Sequence, residues 1–210
     1  MKGNGGYEEI KKYKKYLRSE ENKLKCKYYM LDCQRLAETA NLYKDRCQLL
    51  YDELSNSVNK YEFSSGGEVL HRGYYCPSPI IDIVVGNGKR GKNIKALNAK
   101  SKPTYRYGFD SQNNLILVDI LHLNEKEIII SNGNIETGIC FSNDFGITAL
   151  SESHYENQIV SYVYCSYSSF ANCVGDYRKE VYQYSSEGLE VFDMFYFFNN
   201  KHAPILQHEQ

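Results

Sequence analysis

Residues 127–141 read EIIISNGNIETGICF. Asn132-Gly133 sits at the centre, and this dipeptide suits a two-residue hairpin turn because both central positions need positive φ. After it, Ile135, Thr137, Ile139 and Phe141 alternate with Glu136, Gly138, Cys140 and Ser142. That period of two belongs to a strand with one covered face. Glu127 to Ser131 supplies the partner strand, and the pair predicts an antiparallel hairpin.

The same signals recur outward. Thr104 begins a β-rich region in which Tyr105–Phe109 turns through Asp110–Asn114 into Leu115–Leu123. The second of these strands is apolar on both faces, as a central, covered strand would be. Asn143-Asp144-Phe145-Gly146 is the next turn. Ile147–Tyr155 and Gln158–Tyr167 then form a hairpin around Asn157, and Lys179–Tyr184 and Leu189–Phe198 form one around Ser185–Gly188. Consecutive hairpins predict an antiparallel β-meander. The 20 tyrosines suit it, since Tyr favours strands and carries a polar tip on a ring that is easily half-buried.

Tyr7 to Tyr61 has neither Gly nor Pro and is rich in Lys, Glu, Leu and Arg, which predicts helix. Cys26, Cys33, Ala40, Cys47, Leu54 and Tyr61 recur every seven residues, with Tyr29, Leu36, Tyr43 and Leu50 three positions on. This is a seam that packs on the sheet or on a second copy of the helix. Ser19 followed by Glu20-Glu21-Asn22 is a place to cap a new helix. The fold class is therefore α+β, with a long N-terminal helix or helical hairpin followed by an antiparallel β-meander. The expected boundaries are 1–65 for the helical segment, 66–103 for a Gly/Pro/Lys-rich linker with one short strand (Ile80–Val85), and 104–210 for the sheet.

Charge is segregated along the chain. Residues 1–103 hold 20 Lys/Arg against 12 Asp/Glu, a net of +8, and residues 104–210 hold 5 against 14, a net of −9. A nearly neutral protein thus has a basic and an acidic half, an asymmetry that bears on partners rather than on fold. Glu125, Glu127, Glu136, Glu152 and Glu156 cluster on and beside two hairpins and are the candidate contacts for a basic protein partner. The basic half of the chain is the alternative occupant.

Gly86-Asn87-Gly88-Lys89-Arg90-Gly91-Lys92-Asn93 follows the short strand and imitates a phosphate loop, in which Gly86, Gly88, Gly91 and Lys92 would cradle phosphate. Asn93 stands where a P-loop needs Ser or Thr, and a helix could run only over 93–99 before Pro103. Of the five histidines, His122 stands near Glu125 and His154 near Glu156. Such pairs with a lysine could run acid–base chemistry on RNA, the alternative being a structural place at a strand end or loop for each. The odd count of seven cysteines, with no CxxC pair, predicts reduced thiols and no metal site or cofactor. MKGNGGYEEIKKYKK lacks an apolar core, and no run approaches the roughly 18 apolar residues of a membrane span. The expectation is a cytoplasmic binding protein with no membrane partner. The alternative is a phosphate-handling protein, a nuclease or a nucleotide or nucleic-acid binder, that uses the Gly86–Asn93 loop.

Tyr107-Gly108-Phe109-Asp110-Ser111-Gln112-Asn113-Asn114-Leu115 resembles the YD repeat of Rhs proteins, and Tyr182–Leu189 is a poorer copy lacking the Asp. The period is not sustained, so no repeat shell is expected. The whole layout, an acidic Tyr-rich meander without a catalytic set, is similar to the immunity proteins of bacterial polymorphic toxin systems. That resemblance implies a non-enzymatic protein that neutralises a basic toxin by binding it.

Overall fold

The computed structural model describes residues 15, 19–80, 90–197 and 207–209. Helix α1 spans Glu20–Tyr43 and α2 spans Cys47–Ser55. Eleven strands among the described residues form one sheet. They are β1 (Lys60–Ser65), β2 (Lys92–Asn93), β3 (Tyr105–Phe109), β4 (Leu115–Ile120), β5 (Glu125–Asn132), β6 (Ile135–Ser142), β7 (Gly146–Glu156), β8 (Gln158–Ser168), β9 (Cys173–Ser185), β10 (Gly188–Phe197) and β11 (Gln207–Glu209). Their order is β11-β10-β9-β8-β7-β6-β5-β4-β3-β1-β2. From β3 onward every strand pairs antiparallel with its sequence neighbour. The meander lies where the alternation places it, but the hairpin turn is one residue on from Asn132-Gly133. Asn132 pairs with Ile135, so Gly133-Asn134 make the turn, and of these only Gly133 has positive φ (58°).

The helical segment is shorter than the heptads imply. Lys44–Arg46 form a turn between α1 and α2, with Arg46 at φ −122°. The helix ends at Ser55, and by Asn59 the chain has joined the sheet, where its N–H donates to the Phe109 carbonyl at 2.7 Å. Tyr61, the last position of the heptad count, lies in β1 and is exposed. Strand pairing of 60–65 with β3 outcompetes one more helical turn. The rest of the seam packs on the sheet. Leu36, Ala40 and Cys47 are buried, and Cys26, Tyr29, Cys33, Tyr43, Leu50 and Leu54 are packed against the same core as Leu117, Ile128, Ile139, Leu150 and Val163.

Residues 66–80, read from the sequence as part of a linker, are a packed strap across the other face of the sheet. Tyr107 Oη donates to the Arg72 carbonyl (3.0 Å) and accepts from the Tyr74 N–H (3.2 Å), which ties the strap to β3. Gly73, at φ +51°, lies so near the Tyr105 ring that a Cβ there would come within 2.5 Å of it. Leu70, Cys76 and Ile80 are buried. Of the expected strand Ile80–Val85, residues 81–85 lie outside the described residues. No helix follows the glycine loop over 93–99, and Lys92-Asn93 pair with Ser65-Ser64 as a strand.

Candidate functional site

The five candidate glutamates are dispersed. Glu127 is wholly buried under the strap, where Oε1 accepts from Arg72 Nε (3.0 Å), Arg72 Nη2 (2.9 Å) and His71 Nε2 (3.0 Å). Glu136 shares the guanidinium through Nη1. The strand register makes this possible, since Ser131 faces Glu136, Gly138 faces Ser151 and Glu136 faces Ser153, all on the strap side. Gly138 clears the space, because a Cβ there would lie 2.0 Å from Glu127 Oε1 and 2.4 Å from Arg72 Nη2. Burial alone would raise the Glu127 carboxyl, but the charge of Arg72 and the hydrogen bonds from His71 and Arg72 override it and hold it down at about 2. His71 is pushed below its ordinary value, first by burial. It is therefore neutral at pH 7, with Nε2–H donating to Glu127 and Nδ1 accepting from Tyr162 Oη (2.7 Å). Arg72 holds left-handed backbone at φ 59°, a conformation non-glycine residues keep only where their surroundings enforce it.

Glu152 lies on the opposite face, taken by Arg35 Nη1 from α1 and by His154 Nε2 at 2.6 Å. Beside it Asp32 accepts from Tyr177 Oη (2.7 Å) and Lys179 Nζ (2.8 Å). Burial opposes ionisation of Asp32, yet those bonds keep its carboxyl below the usual range. Glu125 is half-buried at the foot of the β4–β5 turn, 3.6 Å from the Cys140 thiol, and Glu156 is exposed at the β7–β8 turn. Three of the five candidates are thus already neutralised by Arg35 and Arg72 of the chain's own basic half. This corrects the reading of Glu127, Glu136 and Glu152 as outward contacts.

The glycine-loop residues have a structural use where they are described. Gly91, at φ +86°, crosses Gly66, and a Cβ on it would meet the Ser65 carbonyl oxygen at 2.5 Å. Lys92 is exposed and opens β2 rather than a helix, so the helix N-terminus on which a phosphate loop depends does not follow it. Arg90 turns inward to the carbonyls of Cys76 and Ser78. Gly86 and Gly88 lie outside the described residues.

A different feature marks the surface. Because the meander reverses at every strand, its turns segregate to two ends. One end carries 110–114, 132–134, 156–158 and 185–188, all of them polar. The other carries 121–124, 143–145 and 169–172, and each of these holds a large apolar side chain in solvent: Leu123 at 59% exposure, Phe145 at 74% and Phe170 at 103%. Neighbouring strands lie about 4.8 Å apart, so turns two strands apart form a row at roughly 10 Å spacing. Nothing in turn geometry asks for these residues. Asn124 (φ 55°), Gly146 (φ 65°) and Asn172 (φ 50°) supply the left-handed positions, and Ser142 Oγ accepts the Phe145 N–H at 3.1 Å. The signal was present in the sequence as single phenylalanines inside Asn143–Gly146 and Ser168–Asn172, and periodicity passes over it.

No family model matches this chain, and no curated protein and no solved structure does. No helix among the described residues is long and apolar enough to cross a membrane.

Proposed function

We propose that this chain is a non-enzymatic binding protein, and that its partner seats on the row of Leu123, Phe145 and Phe170. The carrying observation is that consecutive turns at one end of the sheet expose large apolar side chains, whereas every turn at the opposite end is polar. Exposed apolar groups gathered in one place are the usual mark of a contact surface, and loops held by a rigid sheet are where such contacts are carried. The concrete form is the one the meander resembles, an immunity protein that neutralises a toxin by occupying it. Asp144, beside Phe145, and Glu125, at the foot of the Leu123 turn, supply carboxylates for a basic partner. Glu127, Glu136 and Glu152 serve the fold instead.

The test has two stages. The product of the neighbouring gene is co-expressed with this chain, and a complex and protection from toxicity are expected. Phe145→Ser combined with Phe170→Ser should then abolish the complex and the protection while leaving the melting transition in place. A complex that survives this double change, in a folded protein, overturns the assignment of the surface. A neighbouring product that neither binds nor harms the cell overturns the immunity reading.

A further inference from the structure

The seam that packs on the sheet uses one side of α1 and α2, and the opposite side carries a second stripe. Leu24, Tyr28, Leu31, Arg35, Glu38, Leu42, Asp45 and Leu49 follow one another at alternating intervals of four and three, the spacing of a coiled-coil seam. The five apolar members are all more than half exposed. At 100° per residue they lie about half a turn from Leu36, Ala40 and Cys47, which face the core. The turn at 44–46 interrupts the helical ladder, with the Arg46 N–H bonding the Tyr43 carbonyl three residues back (2.8 Å), but the two stripes keep their sides across it. The Lys44 N–H still bonds the Ala40 carbonyl (2.9 Å) and the Leu50 N–H the Arg46 carbonyl (2.9 Å), and Cys47 and Tyr51 are buried while Leu42 and Leu49 stay outside.

We infer that two copies of this chain associate antiparallel through this stripe, about a two-fold axis that passes between Leu36 and Ala37. The order of residues argues for it. Reflected about that midpoint, Leu24 meets Leu49 of the other copy, Tyr28 meets Asp45, Leu31 meets Leu42, and Arg35 meets Glu38. Every apolar position has an apolar or hydrogen-bonding partner, and the two opposite charges nearest the axis face each other, twice by symmetry. A self-complementary patch of this kind is what an isologous two-fold contact requires. A parallel arrangement would set Arg35 on Arg35 and Glu38 on Glu38, and an unrelated partner gives no reason for the palindrome. Arg35 holds Glu152 through Nη1 and lies 3.6 Å from Asp32 through Nη2, and its side chain remains 44% exposed toward the second copy. Glu38 is exposed and, among the described residues, accepts from Gln34 Nε2 on its own helix (3.1 Å). The stripe runs about 37 Å at 1.5 Å per residue. The sheet lies behind it in each copy, so the helices meet first and the assembly layers as sheet, helices, helices, sheet.

The test measures the mass of the full chain by sedimentation equilibrium, with circular dichroism to confirm folding. The wild type should be a dimer. Leu31→Lys alone and Leu42→Glu alone, both at exposed sites, should each give monomer. Placed together in one chain they should restore the dimer, because the introduced lysine of one copy faces the introduced glutamate of the other. Glu38→Arg, which sets like charges across the axis, should weaken the dimer by about tenfold or more. A monomeric wild type at its solubility limit overturns the proposal. So does a dimer indifferent to the single changes, and a double variant that stays monomeric removes the antiparallel register.

Discussion

Where α1 and α2 cover the sheet, the groups withdrawn from water are Leu36, Ala40, Cys47, Leu117, Ile128, Ile139 and Leu150. Where residues 66–80 cover it, they include Arg72, Ser78, Glu127 and Glu180. Both faces use both means in different measure: the helix face also buries Asp119 and Glu152, bonded to Tyr51 and Arg35, and the strap face also buries Tyr105, Tyr107, Val118 and Ile129. The helix face relies mainly on apolar burial, which has no direction and rewards area. The strap face relies more on charge-assisted hydrogen bonds that converge on a few atoms. Ser78 Oγ donates to Glu180 Oε2 at 2.6 Å, Tyr182 Oη donates to the same oxygen, and Arg178 Nε lies 3.0 Å from Glu180 Oε1. A short strap of 15 residues cannot bring a helix's worth of apolar surface. What it brings instead is a guanidinium to a place where the sheet has put carboxylates. The consequence is a difference in tolerance. Cores accept hydrophobic swaps of similar volume at small cost, whereas a buried charge that loses its partner is left uncompensated.

The sharpest break in that comparison is Arg72→Ala. It leaves Glu127 wholly buried with only neutral His71 and Ser151 beside it, and urea unfolding should show a loss of about 3–5 kcal/mol. Arg72→Lys should not rescue it, because an ammonium cannot serve Glu127 and Glu136 as the planar fork does. Arg72→Met combined with Glu127→Met should cost less than Arg72→Ala, since an apolar pair leaves no charge stranded. A loss below about 1 kcal/mol for Arg72→Ala, the range of surface pairs, would mean that the strap face is not held by this pair.

On the helix face the matching change is Leu36→Ala, expected to cost about 2–5 kcal/mol through lost transfer energy and a residual cavity. The contrast lies in the conservative substitution. Leu36→Met should cost less than about 1.5 kcal/mol, while the strap's conservative change, Arg72→Lys, remains severe. Equal tolerance on the two faces, read from denaturation midpoints, would erase the distinction.

The same contrast explains what could be read from the sequence. The hairpins were legible because alternation and Asn132-Gly133 are local, and the helix seam because Cys33, Leu36, Ala40 and Cys47 repeat at a fixed period. The strap was not, because Arg72 reaches acids 55 and 64 residues away from a passage of Gly, Pro and Ser without periodicity. Glu127 precedes three isoleucines and looks like an outward residue of its hairpin, and only the register reveals that it shares a face with Cys140. The +8 and −9 halves meet within the chain where Arg35 bonds Glu152 and Arg72 bonds Glu127 and Glu136. Leu31 and Leu42 went unread for another reason. One seam suffices to account for the helix, so the sequence offers no need for a second stripe on it.

The smallest expected effect concerns pH, and it separates the two faces without disturbing packing. His71 lies between Tyr162 and Glu127, with its ring against Tyr164 (4.6 Å between centroids) and Arg72 and Arg178 near enough to oppose its protonation. Its folded pKa lies below its unfolded value near 6.5, so the unfolded chain takes up that proton first. Stability therefore falls as pH drops through about 6.5, by at most about 1.4 kcal/mol per pH unit for one proton, and levels off below the folded value. Glu127 follows in a lower window. Its carboxyl titrates at 4.5 when unfolded and at about 2 when folded, so the stability it contributes is present above pH 4.5 and is lost as pH falls toward 2. His71→Gln should remove the first limb and leave the second, because an amide can donate to Glu127 and accept from Tyr162 but does not titrate. Leu36→Ala, on the other face, should lower the whole stability curve in parallel and leave both limbs in place. Unfolding free energies between pH 7 and 5 for the wild type and the two variants decide the matter. Equal slopes for the wild type and His71→Gln would show that His71 takes up no proton on unfolding in that window.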